Sequence, residues 1–372
     1  MSLLVPLKSV SPATLAATQA SSSTLPAGFP AVLPNAWTGE TYANDKSYIL
    51  QLTASEIAEV EAAMEHFKTC GLDGGDISPA SFPLPTLAPK LIQVSHDLYS
   101  GRGFALIRGL DVTRHSSEDQ TLMWLGIQSY IANKMARQDA RGNMLVHIVA
   151  DNSSALAAGH HRHSTSAITF HTEDSGDIVS WLTRSTAQRG GRCVIASANE
   201  IYNRMAQTCP DMIRTLAKGD WPFALPTFNC RPIFYFHDNN FLVNFGRAPL
   251  LGSAVHPRPS TLPCVSPAQL AALDMLEALA QATQLEIQTQ PGDLHFINNF
   301  NVLHRREAFV NGDEPTAKRH LVRMRVRSEE RGWSIPAELQ QPWQAAFGDE
   351  GDRKWHLEPM TSDVFPLRYH TN

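Results

Sequence analysis

Three residues stand out for the chemistry they could do together. His171 and Glu173 lie two apart in Phe170-His171-Thr172-Glu173, and His304 follows far downstream. On a β-strand, residues i and i+2 project from one face, so His171 and Glu173 would converge on one point with Thr172 facing away. Asp174 shares the parity of Thr172 and is set aside as a ligand. Two imidazoles and one carboxylate on one face of a metal leave its other positions open, the ligand set of non-haem Fe(II) sites that work with oxygen. The chain has 15 histidines, so an isolated H-x-E pair is a weak signal. Its surroundings carry the argument.

Asp174-Ser175-Gly176-Asp177 follows the pair, then an apolar strand with Ile178, Val179, Trp181 and Leu182. Gly190-Gly191 precedes a further strand, Cys193-Val194-Ile195-Ala196. His304 is preceded by Gln290-Pro291-Gly292-Asp293-Leu294-His295-Phe296-Ile297-Asn298-Asn299 and followed by Arg305-Arg306-Glu307. The last strand, Leu321 to Arg327, alternates. Its even positions after His320 are apolar and are expected to face the core between sheets. Its odd face, extended back to Arg319, carries Arg319, Leu321, Arg323, Arg325 and Arg327. A guanidinium fork is built for bidentate carboxylate recognition. Arg325 and Arg327 are expected on an exposed strand face.

Other elements frame these pieces. Ala54 to Phe67 has helical periodicity, with Thr53 or Ser55 as cap. Leu87 to Ser100 and Ser117 to Ile131 read as helices, the latter capped by Ser117. Gly103 to Gly109 encloses a buried strand. A helix follows Ala196, breaks at Pro210 and resumes to Lys218-Gly219. Ile233–Phe236 and Phe241–Phe245 flank a hairpin turn at Asp238-Asn239-Asn240. Ser266-Pro267 opens a helix to about Ala282, Ser as cap and Pro in its first turn. Leu285–Thr289 and Leu294–Asn298 are expected strands joined by Pro291-Gly292. Gln138 to Ser166 reads as polar and irregular. Within it His160-His161-Arg162-His163 is taken as a solvated loop, and Gln138 to Thr169 as a candidate active-site lid. Residues 1–30 are expected to be a loose arm, 31–345 one domain and 346–372 a tail packed on it. Many short strands with helices between them imply a mainly β fold of sandwich or jelly-roll type.

Composition sets outer bounds. The chain of 372 residues is 43% hydrophobic and 18% charged, with net charge −5, an ordinary balance for a protein with a sizeable core. No basic excess points to nucleic acid or an anionic membrane. Five scattered cysteines without a C-x-x-C pair read as free thiols in a reducing compartment. No apolar run approaches a membrane span, and no address signal is evident, so the cytoplasm is the expected location. A small-molecule substrate is the expected partner, with an oligomer possible.

The blocks FHTEDSGDIVSWL…GGRCVIAS…IYN, PGDLHFINN…LHRREAF and RHLVRMRVR, in this order, resemble the taurine dioxygenase (TauD/TfdA) family of Fe(II)- and 2-oxoglutarate-dependent oxygenases. The likeness runs roughly from Arg102 to Arg327. It is greatest to the clavaminate synthase and fungal secondary-metabolism branches, where the carboxylate ligand can be Glu. The resemblance implies a double-stranded β-helix, a cupin-like relative of the jelly roll. It implies His171, Glu173 and His304 as ligands of catalytic Fe(II), with 2-oxoglutarate and O2 as co-substrates. Arg319, 15 residues after His304, would grip the far carboxylate of 2-oxoglutarate. Arg323 matches a position that contacts an acidic group of the prime substrate. The chain departs from the family at Cys193, where a Thr or Ser usually follows the Gly-Gly pair to bond 2-oxoglutarate; a thiol is a weak donor. Two other functions compete: a non-catalytic binding member of the fold, which the intact metal set opposes, and a metal-dependent hydrolase, for which neither H-E-x-x-H nor G-x-S-x-G is present.

Overall fold

The computed structural model describes residues 24–150, 164–253, 257–349 and 351–359. Residues 1–23 and the histidine tract at 160–163 lie outside them.

In chain order the strands are β1 (Ile49–Gln51), β2 (Phe104–Arg108), β3 (Lys134–Met135), β4 (Val146–Val149), β5 (Ile168–His171), β6 (Ile178–Ser185), β7 (Arg189–Gly190), β8 (Cys193–Ser197), β9 (Trp221–Phe223) and β10 (Asn229–Arg231). Then come β11 (Phe234–His237), β12 (Asn240–Val243), β13 (Leu285–Ile287), β14 (Leu294–Asn298), β15 (Val302–Arg306), β16 (Phe309–Val310) and β17 (His320–Arg327). A seven-stranded major sheet runs β1-β2-β14-β6-β17-β3, with β4 also paired to β17. A four-stranded minor sheet runs β13-β8-β15-β5. The two sheets face each other as the walls of a double-stranded β-helix.

Strand parity sorts the core into layers. On β17, Val322, Met324 and Val326 pack outward against the helices Ala54–Thr69, Ala88–Ser100 and Ser117–Ser129. Leu321 points the other way, joining Val179, Trp181, Ile195 and Ile287 between the sheets. The even face therefore lies under the helices and the odd face lines the space between sheets, the reverse of the sequence expectation. Alternation gives two faces, and what covers each is decided by elements distant in sequence. Behind the minor sheet, Phe170, Val194, Ala196 and Leu303 pack on the helices Ala198–Thr208, Pro210–Leu216 and Pro267–Thr283.

Local chemistry fixes the ends of these elements. Thr53 and Glu56 form a capping box at the first long helix, as do Ser266 and Gln269 at Pro267–Thr283. The helix Ser117–Ser129 is capped by Ser116, which accepts from the Asp119 N–H at 3.1 Å, not by Ser117. Adjacent serines offer equal caps in sequence, and the winner is the one in extended backbone. The β11–β12 hairpin turns through Asp238 and Asn239, at φ 46° and 61°.

Pro291-Gly292 does not close a hairpin. β13 pairs with β8 in the minor sheet, whereas β14 pairs with β2 and β6 in the major one, so this turn carries the chain across the sandwich. Gly292 sits at φ 88° with its N–H donating to Thr183 O, and a Cβ there would lie 1.9 Å from Leu110 O.

The stretch read as irregular holds β4 paired to β17, with Met144, Leu145 and Val146 buried. Its apolar run is short, and its packing against β17 decides the matter. The Pro- and Gly-rich stretch from Ser328, which shows little periodicity in sequence, contains a helix, Ala337–Phe347, with Pro342 inside it; Leu339 and Trp343 are buried against Phe300. Prolines masked its periodicity. Residues 24–30 also pack: Phe29 stacks on Tyr202 with ring centroids 6.2 Å apart, and Tyr202 donates to Pro30 O at 2.6 Å.

Candidate metal centre and anion cavity

The three residues singled out by spacing come together. One donor atom from each of His171, Glu173 and His304 lies within 4.8 Å of the others, the group of this kind found among the described residues. His171 ends β5 and His304 lies opposite it on β15. Their ring centroids are 4.3 Å apart, and His304 Nε2 is 3.9 Å from Glu173 Oε1. His171 Nδ1 donates to Thr169 O at 2.9 Å, which leaves Nε2 as the ligand atom. Burial pushes His171 well below the ordinary histidine range, helped by His304, and pushes His304 down to about 4. Both imidazoles are therefore neutral near pH 7, as metal ligation requires. Two neutral imidazoles and a buried carboxylate fit a divalent first-row ion such as Fe(II).

Convergence has a different origin from the one expected. β5 ends at His171, so Glu173 is beyond the strand and parity alone does not aim it. Two buried asparagines do. The Glu173 N–H donates to Asn299 Oδ1 at 2.7 Å, and Asn299 Nδ2 donates to Glu173 O and Gly176 O at 3.0 and 2.9 Å. Asn244 Nδ2 donates to Glu173 O at 3.1 Å, while the Thr172 hydroxyl is tied to Phe245. The sequence signal for Asn299 was an Asn-Asn pair closing a mostly apolar strand, a polar intrusion that needs buried partners. Asn244 carries the same signal, interrupting the apolar run Phe241–Phe245.

Arg325 and Arg327, expected at the surface, anchor the same loop from behind. Arg325 is 1% exposed; its Nη1 donates to Ser175 Oγ at 2.7 Å and its Nη2 to Arg137 O at 3.1 Å. Gly176, at φ 107°, lies against it, and a Cβ there would fall 2.8 Å from Arg325 Cβ. Arg327 Nη1 donates to both oxygens of the fully buried Asp177 at 2.8 Å. Burial raises Asp177 to about 6 against the pull of Arg327 and a hydrogen bond from Trp343.

His171, Glu173 and His304 open into a cavity of about 290 Å³ between the sheets, lined also by Cys193, Thr183, Trp181, Arg306, Arg319, Leu321 and Arg323. Arg319 is buried, donates Nε to Gly191 O at 3.3 Å and lies 5.5 Å from the Phe309 ring centre. Its Nη1 has no partner among the described residues. Burial lowers it to about 10, a state an anion would relieve. Gly191 makes room for it: at φ 70°, a Cβ would approach Arg319 Cδ to 3.1 Å. Arg323 reaches the cavity and forms an ion pair with Glu173. Arg306, which sequence reasoning passed over, is 5% exposed beside it and donates to Ser166 O at 2.6 Å. Cys193 lines the cavity, and burial pushes its thiol up to about 12, so it stays protonated.

A double-stranded β-helix with a two-histidine, one-carboxylate cluster at its mouth and a buried arginine inside is the architecture of a non-haem iron oxygenase. Comparison with known proteins agrees. The model of the taurine catabolism dioxygenase TauD, TfdA family matches residues 68–325. The chain is 32% identical to a taurine hydroxylase-like protein, SAT17, of Stachybotrys chartarum over 340 residues, 87% of this chain and 88% of that one. It is 25% identical to FR-33289 synthase of Streptomyces rubellomurinus, over 76% and 85% of the two chains. Among solved structures, an asparagine oxygenase in complex with Fe(II), 2S,3S-3-hydroxyasparagine and succinate superposes with TM-score 0.60 at 16% identity, covering 78% of this chain and 99% of that one. The non-heme iron oxygenase OrfP with Fe and alpha-ketoglutaric acid gives 0.57 at 16%, covering 76% and 95%. These structural likenesses establish the fold. The chain belongs to the TauD, TfdA family and is an Fe(II)- and 2-oxoglutarate-dependent oxygenase. Among the described residues no helix is long and apolar enough to cross a membrane.

Proposed function

We propose that His171, Glu173 and His304 hold the catalytic Fe(II), that Arg319 binds the far carboxylate of 2-oxoglutarate, and that the enzyme oxidises an unactivated C–H bond of a small carboxylate-bearing molecule. The observation that carries the reading is one cavity joining the metal cluster to a buried arginine with a donor to spare. Iron bound there supplies oxygen activation coupled to conversion of 2-oxoglutarate to succinate and CO2. The chain's own residues orient and shield. Arg319 fixes the co-substrate by a charge-assisted fork. Trp181, Val179 and Leu321 form the dry wall beside it.

Arg323 faces the prime-substrate side and steadies Glu173 through their ion pair. Its charge, with that of Arg306, favours an anionic substrate. The outcome is hydroxylation, desaturation or ring closure in the cytoplasm. The solved relatives named for hydroxylated asparagine and arginine support a small amino acid-like substrate. The test is substrate-dependent succinate formation: the protein with Fe(II), 2-oxoglutarate and air is offered a panel of amino acids and small organic acids together with their amide and amine analogues. Stimulation by a carboxylate-bearing member and loss of its parent mass is the expected result. Stimulation only by neutral or cationic compounds would overturn the substrate class.

A further inference from the structure

Two residues after the Gly-Gly pair stands Cys193, which lines the cavity and whose protonated thiol is a poor partner for a carboxylate. The opposite wall holds a better one. Val179, Trp181 and Thr183 are the inward residues of β6, and all three line the cavity shared with Arg319. Thr183 is fully buried. Its backbone is used up, N–H donating to Asp293 O at 3.0 Å and O accepting from Gly292 N–H at 2.8 Å. Its hydroxyl has no partner among the described residues.

Asp293, the nearest acid along this pairing, is committed elsewhere. Its Oδ1 accepts from Arg108 Nε at 2.8 Å, and its Oδ2 accepts from Arg108 Nη2 and from the Gln290 N–H, each at 2.7 Å. Leu321, opposite Thr183 on β17, is two residues from Arg319. Two unused donors, Thr183 Oγ1 and Arg319 Nη1, thus line one cavity. A buried hydroxyl left unmade is costly, and the group that satisfies two donors and needs none in return is a carboxylate.

We propose that Thr183 donates the hydroxyl hydrogen bond to the far carboxylate of 2-oxoglutarate beside Arg319, and that Cys193 does not make this contact. The inference rests on the co-substrate reading above. Its function is selection: a 2-oxo acid without the second carboxylate leaves both donors unpaired.

The test is calorimetric titration of Mn(II)-loaded full-length protein with 2-oxoglutarate and, separately, with pyruvate, which lacks the far carboxylate. Thr183→Val is expected to weaken 2-oxoglutarate binding about tenfold and to leave pyruvate binding unchanged. Thr183→Ser restores the wild-type value, and Cys193→Ala keeps it within about twofold. Wild-type affinity in Thr183→Val, or a larger loss in Cys193→Ala, overturns the proposal. Equal weakening of pyruvate and 2-oxoglutarate in Thr183→Val also overturns it, because that marks a packing role. If wild-type protein binds no 2-oxoglutarate, the co-substrate reading itself fails; if it does and Thr183→Val matches it, only the Thr183 assignment fails.

Discussion

Three arginines on one face of β17, Arg323, Arg325 and Arg327, and Arg319 just before it divide into two pairs with different surroundings. Arg319 and Arg323 open onto the cavity, whereas Arg325 is buried against Ser175 and Gln138 and the partly buried Arg327 pairs with Asp177. The first pair meets what enters the protein. The second holds the loop that carries Glu173 to the metal cluster. A charged side chain on a strand is worth what its environment makes of it: facing a cavity it recognises an anion, and facing a buried acid it becomes part of the frame. Arg323 joins the two roles, since it lines the cavity and pairs with Glu173.

The largest effect is expected at the metal cluster. His171→Ala or His304→Ala is expected to abolish turnover and weaken Fe(II) binding, because each removes a ligand. Full activity in either variant at saturating iron would reject the ligand set. The next largest effect belongs to the frame. Arg327→Ala strands the buried Asp177 carboxylate and is expected to cost about 3–5 kcal/mol of stability. Urea unfolding reads this directly, and an unchanged midpoint would show that Arg327 is as dispensable as an exposed arginine.

Arg323→Ala is expected to lower substrate-dependent turnover about 10- to 100-fold, the usual cost of losing a partner of a metal ligand. It should spare 2-oxoglutarate affinity in the metal-loaded protein. A loss of 2-oxoglutarate affinity greater than that in Arg319→Ala would mean the two cavity arginines have exchanged roles.

The helix-backed side of the same sheet supplies the smallest effect. His147 Nδ1 and His320 Nε2 are 2.9 Å apart, and His147 Nε2 donates to His356 O at 2.6 Å, tying down the tail. Burial lowers His147 to about 4 and His320 to about 3. Both folded values lie below the unfolded one, so the unfolded chain takes up protons first. Stability is full above about pH 6.5 and is lost as pH falls toward 4. His147 alone is expected to contribute a fall of roughly 2 kcal/mol between pH 7 and pH 5, and His147→Gln removes that share of the slope. A pH-independent melting temperature across this range would contradict it.

The convergence of His171, Glu173 and His304 was legible because they are chemically distinctive types in a motif whose order matters. The double-stranded β-helix came from the family resemblance, since spacing alone reached only a mainly β class. The clamp that aims Glu173 was not legible: Asn244 and Asn299 each interrupt an apolar run, but nothing local says that both reach the Glu173 backbone. Arg325 and Arg327 were misplaced because alternation assigns a face and cannot say what covers it. Asp177 and Ser175 lie about 150 residues away from them. Thr183 was invisible for the same reason, as an ordinary threonine on an apolar strand. The helix at 337–347 was hidden by Pro336 and Pro342, whose effect on the periodic pattern the packing of Trp343 overrides.

The proposed roles of the His171, Glu173 and His304 cluster and of Arg319 meet at one co-substrate. Anaerobic titration of 2-oxoglutarate into Fe(II)-loaded protein, followed by visible absorption, tests both together. Wild-type protein is expected to develop a charge-transfer band that saturates. His304→Ala should develop none. Arg319→Ala should need far more 2-oxoglutarate to reach it, in keeping with a loss of about 2–5 kcal/mol for a buried carboxylate without its charge-assisted partner. A wild-type protein without the band, or an Arg319→Ala variant that saturates at the wild-type concentration, would contradict the account.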